Sequence, residues 1–248
     1  MKARVRDWSA PSQLPDLQVK IFADGADEKS IAELAKNPLV KGFTTNPTLM
    51  RAAGVTDYRA FARRVLERIG EMPISFEVFA DDFSEMERQA RIIASWGESV
   101  YVKIPVTNTR GESAGPLIRR LSEDGIRLNV TALLTLEQVR WTSEQLADGT
   151  PSIISVFAGR IADTGVDPLP IMERALQIMR RHKDQELIWA SPREVFNIVQ
   201  ADRIGCHIIT VTPDILKKAA IIGRDLAEYS LDTVKMFFRD GQAAGFVL

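Results

Sequence analysis

The sequence has few of the residues that crosslink a chain or bind transition metals. Its 248 residues include one cysteine, Cys206, and two histidines, His182 and His207. A single cysteine excludes a disulfide within the chain and is typical of proteins from a reducing compartment. With so few histidine and thiol groups, a zinc-type site is not expected. We therefore expect any chemistry here to use neither a metal nor a cofactor.

The sequence also lacks an excess of charge of either sign and any long apolar stretch. Its 32 basic and 33 acidic residues give a net charge of −1, so there is no basic surplus for nucleic acid or an anionic membrane. No apolar run is long enough to span a bilayer. The first residues, MKARVRDWSAPSQLPD, have no apolar segment typical of a signal peptide. These absences predict a cytoplasmic protein that binds neither nucleic acid nor membrane.

Short runs rich in β-branched residues alternate with amphipathic helical patterns along the chain. The predicted strands cover 19–24, 41–45, 74–80, 100–106, 127–132, 152–157, 186–191 and 206–211. The helical patterns cover 27–37, 57–70, 82–97, 113–125, 135–149, 167–182, 191–200 and 212–225. Strands that alternate with helices in this way are typical of βα units and a parallel sheet.

Eight strand–helix pairs in a chain of this length predict one domain, a single (β/α)8 TIM barrel over residues 1–248. An open, doubly wound sheet is the alternative, but no G-x-G-x-x-G follows the first strand. Residues 1–18 form an N-terminal extension, and 227–246 predict an additional C-terminal helix. The apolar side chains of this helix would pack either on its own barrel or on a neighbouring subunit; they are Leu231, Val234, Phe237 and Phe238.

Polar side chains interrupt the predicted strands near their carboxyl ends, where the active sites of such barrels lie. They are Asp24, Asn46, Glu77, Lys103, Asn129, Thr131, Ser155, Arg160, Ser191 and Arg193. Taken singly, many have structural explanations. Asp24 or Ser191 could cap a helix, Asn46 could form a turn, and Glu77 with Lys103 could form a buried ion pair. Taken together, they place more charge at one barrel mouth than packing requires.

Lys103 lies in the middle of the apolar run VYVKIPV, and a lysine that is buried in this way can act as a nucleophile. Burial disfavours the charged form of a lysine, and a neutral amine can attack a ketone to form a Schiff base. The protonated imine is an electron sink for breaking a carbon–carbon bond, and Asp24 and Glu77 could supply the acid/base groups. Two arginines and the hydroxyl of Ser191, at a predicted helix N-terminus, suit a phosphate group instead.

Seven segments resemble the transaldolases and the related short fructose-6-phosphate aldolases. They appear in the family's order: FADGAD (22–27), GFTTNPTLM (42–50), ISFEVFA (74–80), YVKIPVT (101–107), NVTALLT (129–135), ISVFAGRIADTG (154–165) and WASPRE (189–194). The resemblance implies that Lys103 is the Schiff-base lysine and Asp24 the acid/base group. It implies that Glu77 and Thr131 position a water. It also implies two substrate-binding sets: Asn46, Asn129 and Ser155 for hydroxyl groups, and Arg160, Ser191 and Arg193 for phosphate.

The implied reaction moves a dihydroxyacetone unit from sedoheptulose 7-phosphate or fructose 6-phosphate to an aldose phosphate. Aldolase members typically carry Gln at the position of Glu77 and Tyr at that of Phe157, so both residues favour transfer. The alternatives are an aldolase that releases free dihydroxyacetone, a related enzyme for an unusual sugar, and a sugar-phosphate binder without activity. The resemblance also implies a homo-oligomer, a pentamer or decamer as in short members or a dimer as in long ones.

Overall fold

Eight parallel strands form a closed barrel in which each strand pairs with the next and β8 pairs with β1. The computed structural model describes residues 17–247, so most of the predicted extension lies outside the described residues. The strands are β1 (Lys20–Asp24), β2 (Val40–Thr44), β3 (Ile74–Glu77), β4 (Val100–Pro105), β5 (Leu128–Leu133), β6 (Ser152–Val156), β7 (Gln185–Trp189) and β8 (Ile208–Val211). The predicted (β/α)8 barrel is confirmed.

Helices follow the strands around this barrel, and most of them cover its outer, apolar face. They are α1 (Glu28–Leu34), α2 (Pro47–Ala52), α3 (Tyr58–Ile69), α4 (Phe83–Ala94), α5 (Gly115–Glu123), α6 (Leu136–Gln145), α7 (Ala158–Asp163), α8 (Leu169–Met179), α9 (Phe196–Arg203), α10 (Pro213–Ala219) and α11 (Leu226–Ala244). The short helices α2 and α7 were not predicted. Within the described range, no helix is both long and apolar enough to cross a membrane.

Helix α9 begins five residues later than predicted. The sequence pattern places a helix over 191–200 with Ser191 as its N-cap, but α9 begins at Phe196. Ser191 has a left-handed backbone with φ 59°, which is incompatible with that role. The amides of Arg193 and Glu194 donate to the side-chain oxygen of Asn197 instead of joining the helix. The predicted helix N-terminus at Ser191 was therefore wrong.

The interior of the barrel is filled by large apolar side chains below its carboxyl end. They are Phe22, Ile153, Ile188 and Ile208, and all are buried. Two positions after each of them, the same strand places another inward-facing residue nearer the mouth of the barrel, because successive side chains of a strand alternate between its two faces. The ring of Phe22 lies over Gly42, where a Cβ atom would come within 2.6 Å of it. Gly42 thus makes room for the ring that fills the centre of the barrel.

Helix α11 extends beyond the barrel, as predicted, but none of its residues is buried in the single chain. Asp225 caps its start by accepting from the amide of Glu228, and Gly245 ends it in a left-handed conformation. Its apolar side chains are open to solvent, with Phe237 66% and Phe238 67% exposed. The helix is locally well formed, yet the chain's own barrel does not cover its apolar face.

Candidate active site

A cavity of about 500 Å³ opens at the carboxyl end of the barrel. Most of the predicted site residues line it: Asp24, Asn46, Glu77, Lys103, Thr131, Ser155, Phe157, Arg160 and Ser191. The other two, Asn129 and Arg193, lie beside the cavity and contact residues that line it. The fold thus brings together side chains from widely separated strands at the one end of the barrel where the sequence predicted a site.

Lys103 lies at the base of the cavity and is only 7% exposed. Strands β3 and β4 pair so that Glu77 and Lys103 are direct neighbours. The Nζ of Lys103 is 3.2 Å from Oε2 of Glu77, and it donates to the carbonyl oxygen of Thr45 at 3.1 Å. This geometry fits both of the explanations that the sequence left open for the pair, a structural ion pair and a partnership in proton transfer.

Asp24 ends β1 and is paired in register with Thr44 on β2. The Thr44 hydroxyl donates to Oδ1 of Asp24 at 2.7 Å and lies 2.5 Å from the hydroxyl of Thr210. Protein atoms surround most of the Asp24 carboxyl, and this burial raises its pKa, although the charge of Lys103 and the hydrogen bond from Thr44 oppose the shift. A carboxyl group whose pKa is raised is better suited to exchange protons near neutral pH.

Strand β5 is distorted where it reaches the cavity. Ala132 has a left-handed backbone with φ 66°, and the pairing with β6 shifts register between Val130 and Leu133. A non-glycine residue in this region costs roughly 1–2 kcal/mol, and such strain often occurs at functional sites. Both Thr131 and Ala132 line the cavity. Among the described residues, the buried Thr131 hydroxyl has no hydrogen-bond partner, so it is available to a ligand or water.

Asn129 lies beneath the cavity surface and is fully buried. Its amide nitrogen donates to the hydroxyl of Ser75 at 2.9 Å, and its oxygen accepts from the hydroxyl of Ser155 at 2.7 Å. Asn46 has a second role, because its side-chain oxygen caps α2 by accepting from the amide of Leu49. Of these residues, Asn46 and Ser155 line the cavity, whereas Asn129 holds Ser155 in place.

The predicted phosphate-binding residues lie at the outer rim. Arg160 on α7 lines the cavity with its Cζ atom 5.3 Å from the centre of the Phe157 ring. Arg193 donates from Nη1 to the Ser191 hydroxyl at 3.0 Å and from Nε to Oδ1 of Asp163 at 2.8 Å. The Ser191 segment lies directly against α7, since a Cβ on Gly159 would come within 1.6 Å of the Ser191 carbonyl. Arg193 is therefore held between Ser191 and Asp163.

Seven of the residues that line the cavity were not predicted as site residues: Thr44, Pro47, Thr48, Leu49, Ala132, Ala190 and Thr210. The side chain of Thr210 faces the interior of the barrel, as does that of the core residue Ile208 two positions earlier on β8. This two-residue repeat is the signal that could have identified Thr210. Within residues 17–247, no group of three or more His, Cys, Asp or Glu side chains is placed to hold a metal ion. The cavity instead offers a buried amine, two carboxyl groups and a basic rim.

The barrel is similar to solved structures of low sequence identity. Dihydrodipicolinate synthase from Rhodopseudomonas palustris superposes with a TM-score of 0.56 at 17% identity, covering 93% of this chain and 84% of its own. KGPDC from Streptococcus mutans gives a TM-score of 0.56 at 9% identity, covering 84% of this chain and 96% of its own. At such identities the likeness concerns the fold alone.

Sequence comparison identifies closer relatives. A family profile described as Transaldolase/Fructose-6-phosphate aldolase matches residues 21–246. A probable transaldolase from Dehalococcoides mccartyi (strain ATCC BAA-2266 / KCTC 15142 / 195) is 33% identical over 80% of this chain and 88% of its own length. One from Hyphomonas neptunium (strain ATCC 15444) is 31% identical over 92% of this chain and 99% of its own. The chain therefore belongs to the transaldolase/fructose-6-phosphate aldolase family.

Proposed function

We propose that the chain is a transaldolase that transfers a dihydroxyacetone unit from a ketose phosphate to an aldose phosphate through a Schiff base on Lys103. The main support is the buried amine of Lys103, which opens into the cavity 3.2 Å from the Glu77 carboxylate. An amine in this position can attack a ketone carbonyl at the bottom of the cavity. The donors proposed are sedoheptulose 7-phosphate and fructose 6-phosphate.

The first half of the proposed reaction cleaves the donor. The amine adds to the ketone and loses water to form a protonated imine, while Glu77 and the Thr131 hydroxyl position the water that carries protons. Asp24 then takes the proton from the hydroxyl beside the breaking bond. The electron pair of that bond moves towards the imine, so an enamine stays on Lys103 and an aldose phosphate leaves.

The second half reverses these steps with an acceptor. The enamine carbon bonds to the acceptor's aldehyde carbon, and Asp24 returns its proton to the new alkoxide. Water then hydrolyses the imine and releases the new ketose phosphate. In this scheme Asn46, Asn129 and Ser155 hold the hydroxyl groups of the dihydroxyacetone unit, Asn129 acting through Ser155 as its hydrogen bond suggests.

The phosphate group of either substrate would bind at the rim. Arg160 and Ser191 line the cavity there, and Arg193 donates to the Ser191 hydroxyl. Guanidinium groups and a hydroxyl suit phosphate through charge and donor geometry. The helix dipole that the sequence predicted behind Ser191 is not part of this proposal, because α9 begins at Phe196.

The second candidate function is an aldolase that releases free dihydroxyacetone. It differs in the fate of the enamine, which must be protonated before release. Glu77 and Phe157 match the transfer members of the family, and this match favours transfer. Measuring dihydroxyacetone with and without erythrose 4-phosphate separates the two, since efficient release in the absence of an acceptor would favour the aldolase.

The Schiff base can be tested by borohydride trapping in the presence of fructose 6-phosphate. A dihydroxyacetone-derived mass on the peptide that contains Lys103 is expected. The label should be absent in Lys103→Met, which roughly keeps the side-chain length and removes the amine, and retained in Lys41→Met, which changes an exposed lysine on β2. A label on another lysine, or none with the unchanged chain, would contradict the proposed mechanism. Binding without turnover would instead indicate a sugar-phosphate binder.

We further propose that the protein forms a homo-oligomer through α11. The support is the exposed apolar face of this helix, which the chain's own barrel does not cover. A second copy of the chain is the proposed partner, in a pentamer, decamer or dimer. A cytoplasmic location is proposed on the single cysteine, which is buried and reduced.

A further inference from the structure

Three side chains from three strands form a hydrogen-bonded row that leads away from the carboxyl group of Asp24. Thr44 on β2 donates to Oδ1 of Asp24 at 2.7 Å, and the hydroxyl of Thr210 on β8 is 2.5 Å from that of Thr44. Both threonines are buried, at 3% and 6% exposure, and all three residues line the cavity. Because β1 lies between β2 and β8 in the barrel, the row crosses the strand that carries Asp24.

The direction of these hydrogen bonds depends on the protonation state of Asp24. A hydroxyl group has one proton to donate and can accept as well. When Asp24 is ionised, the Thr44 proton is used on the carboxylate, so Thr210 must donate to Thr44. When Asp24 is protonated, its proton can be donated to Thr44, which then donates to Thr210. Rotation of the two threonine hydroxyl groups therefore keeps the row hydrogen-bonded in both protonation states of Asp24, with no movement of the backbone.

Few other groups could orient Asp24 in this way. Gly25, the next residue, has no side chain, and its amide donates to the carbonyl of Thr44. Of the charged groups that line the cavity, Lys103 acts on Asp24 through its charge. A point charge attracts the carboxylate but does not fix the rotation of its plane, whereas a hydrogen bond to one oxygen does. Burial raises the Asp24 pKa, which favours the uptake of a proton by this carboxyl group.

We propose that Thr210 is a positioning residue that acts on Asp24 through Thr44. It holds the Thr44 hydroxyl on Oδ1 of Asp24 and accepts the reversed hydrogen bond when Asp24 gains a proton. This inference rests on the proposed function, in which Asp24 takes and returns one proton. In that reaction each turnover reverses the row twice, once as the donor is cleaved and once as the acceptor is joined.

A double-mutant cycle with Thr210→Val and Thr44→Val tests this role. Valine keeps the shape of threonine and removes the hydroxyl. For Thr210→Val we expect kcat to fall about tenfold, the size of a lost hydrogen bond in a buried site, with KM within about twofold of the unchanged enzyme. Thr210→Ser keeps the hydroxyl and should restore most of the activity. In the Thr44→Val background, Thr210→Val should cause little further loss, because the connection to Asp24 is already broken.

Several outcomes would overturn the inference. An additive loss in the double variant, or a KM that rises while kcat is unchanged, would mean that Thr210 acts on the substrate or only on packing. Equal losses in Thr210→Ser and Thr210→Val would also count against it. Borohydride trapping separates it from the proposed function: a label on Lys103 with unchanged kcat in Thr210→Val overturns this inference alone. No label on Lys103 in the unchanged enzyme overturns both.

Discussion

Glu77 and Lys103 occupy paired positions on β3 and β4, with Oε2 of the carboxylate 3.2 Å from the amine nitrogen. If the pair is only structural, Glu77 has no effect on the rate at which the imine forms. If Glu77 takes part in proton transfer, it controls that rate. In Glu77→Gln we expect the rate of borohydride-trappable imine formation to fall about 10²-fold, the usual contribution of a positioned acid/base group. Glu186→Gln is the matched control, because Glu186 pairs with Lys20 at the opposite end of the barrel. An unchanged rate in Glu77→Gln would indicate a purely structural pair.

Asp24→Asn should stabilise the fold at neutral pH while it abolishes turnover. The carboxyl pKa is raised in the folded state, so the proton is bound more tightly there than in the unfolded chain. Its contribution to stability is therefore present at low pH and is lost as the pH rises through the folded-state pKa. Asparagine does not ionise, so its contribution to stability does not change with pH. The variant should therefore melt about 2–4 °C above the unchanged protein at pH 7, which corresponds to about 1 kcal/mol in the free energy of unfolding for a chain of this size.

The difference in melting temperature should shrink as the pH falls towards 4, and this trend can be measured by thermal unfolding across pH 4–8. Asp27→Asn is the control, because Asp27 caps α1 and asparagine is an equally good cap. A lower melting temperature for Asp24→Asn at pH 7 would mean that the attraction of Lys103 outweighs the effect of burial.

Asp163→Asn should tighten the binding of phosphate at the rim. The Arg193 guanidinium holds the pKa of Asp163 below its usual range, so this carboxyl is ionised at neutral pH and competes with phosphate for the same donors. Removing the negative charge should lower the inhibition constant of inorganic phosphate by about 2–5-fold, the modest effect expected of an exposed ion pair. Asp124→Asn, which breaks the pair of Asp124 with Arg91 on the outside of the barrel, should have no effect. Weaker phosphate binding in Asp163→Asn would mean that Asp163 orients Arg193 for the ligand.

Phe237→Asp should dissociate the proposed oligomer. The phenylalanine is 66% exposed on α11 of the single chain, and placing a charge in an apolar contact between subunits is costly. Sedimentation velocity should show a mass close to that of one chain for this variant. Gln242→Asp adds the same charge to another exposed position of α11 and should keep the mass of the unchanged protein. A monomer before any substitution would contradict the proposal.

The barrel could be predicted from the sequence because its strands and helices differ in the spacing of their apolar residues. The predicted boundaries fail where a side chain competes for backbone groups. Strand β3 was predicted to reach residue 80, but the amides of Phe79 and Ala80 donate to the side chain of Gln89 on α4. Asn197 has a similar effect before α9, where it binds the amides of Arg193 and Glu194. Both cases are side-chain to backbone hydrogen bonds, which the spacing of apolar residues does not record.

The candidate site residues could be proposed from the sequence because polar groups at strand ends are conspicuous. Thr210 was missed because a threonine in a strand is ordinary and gives no such signal. Arg193 was expected to face a phosphate, yet its partner in the structure is Asp163, thirty positions earlier in the chain. The roles assigned to the site residues stay predictions.

The apolar side chains stacked around Phe22 determine more than the packing of the barrel. They fill the barrel beneath the cavity, which is lined by Lys103 and, nearer the rim, by Arg160 and Ser191. In the proposed two-substrate transfer, the aldose phosphate from the donor must leave this cavity before the acceptor can reach the enamine on Lys103. We therefore expect parallel lines in a double-reciprocal plot, the signature of ping-pong kinetics through a covalent intermediate.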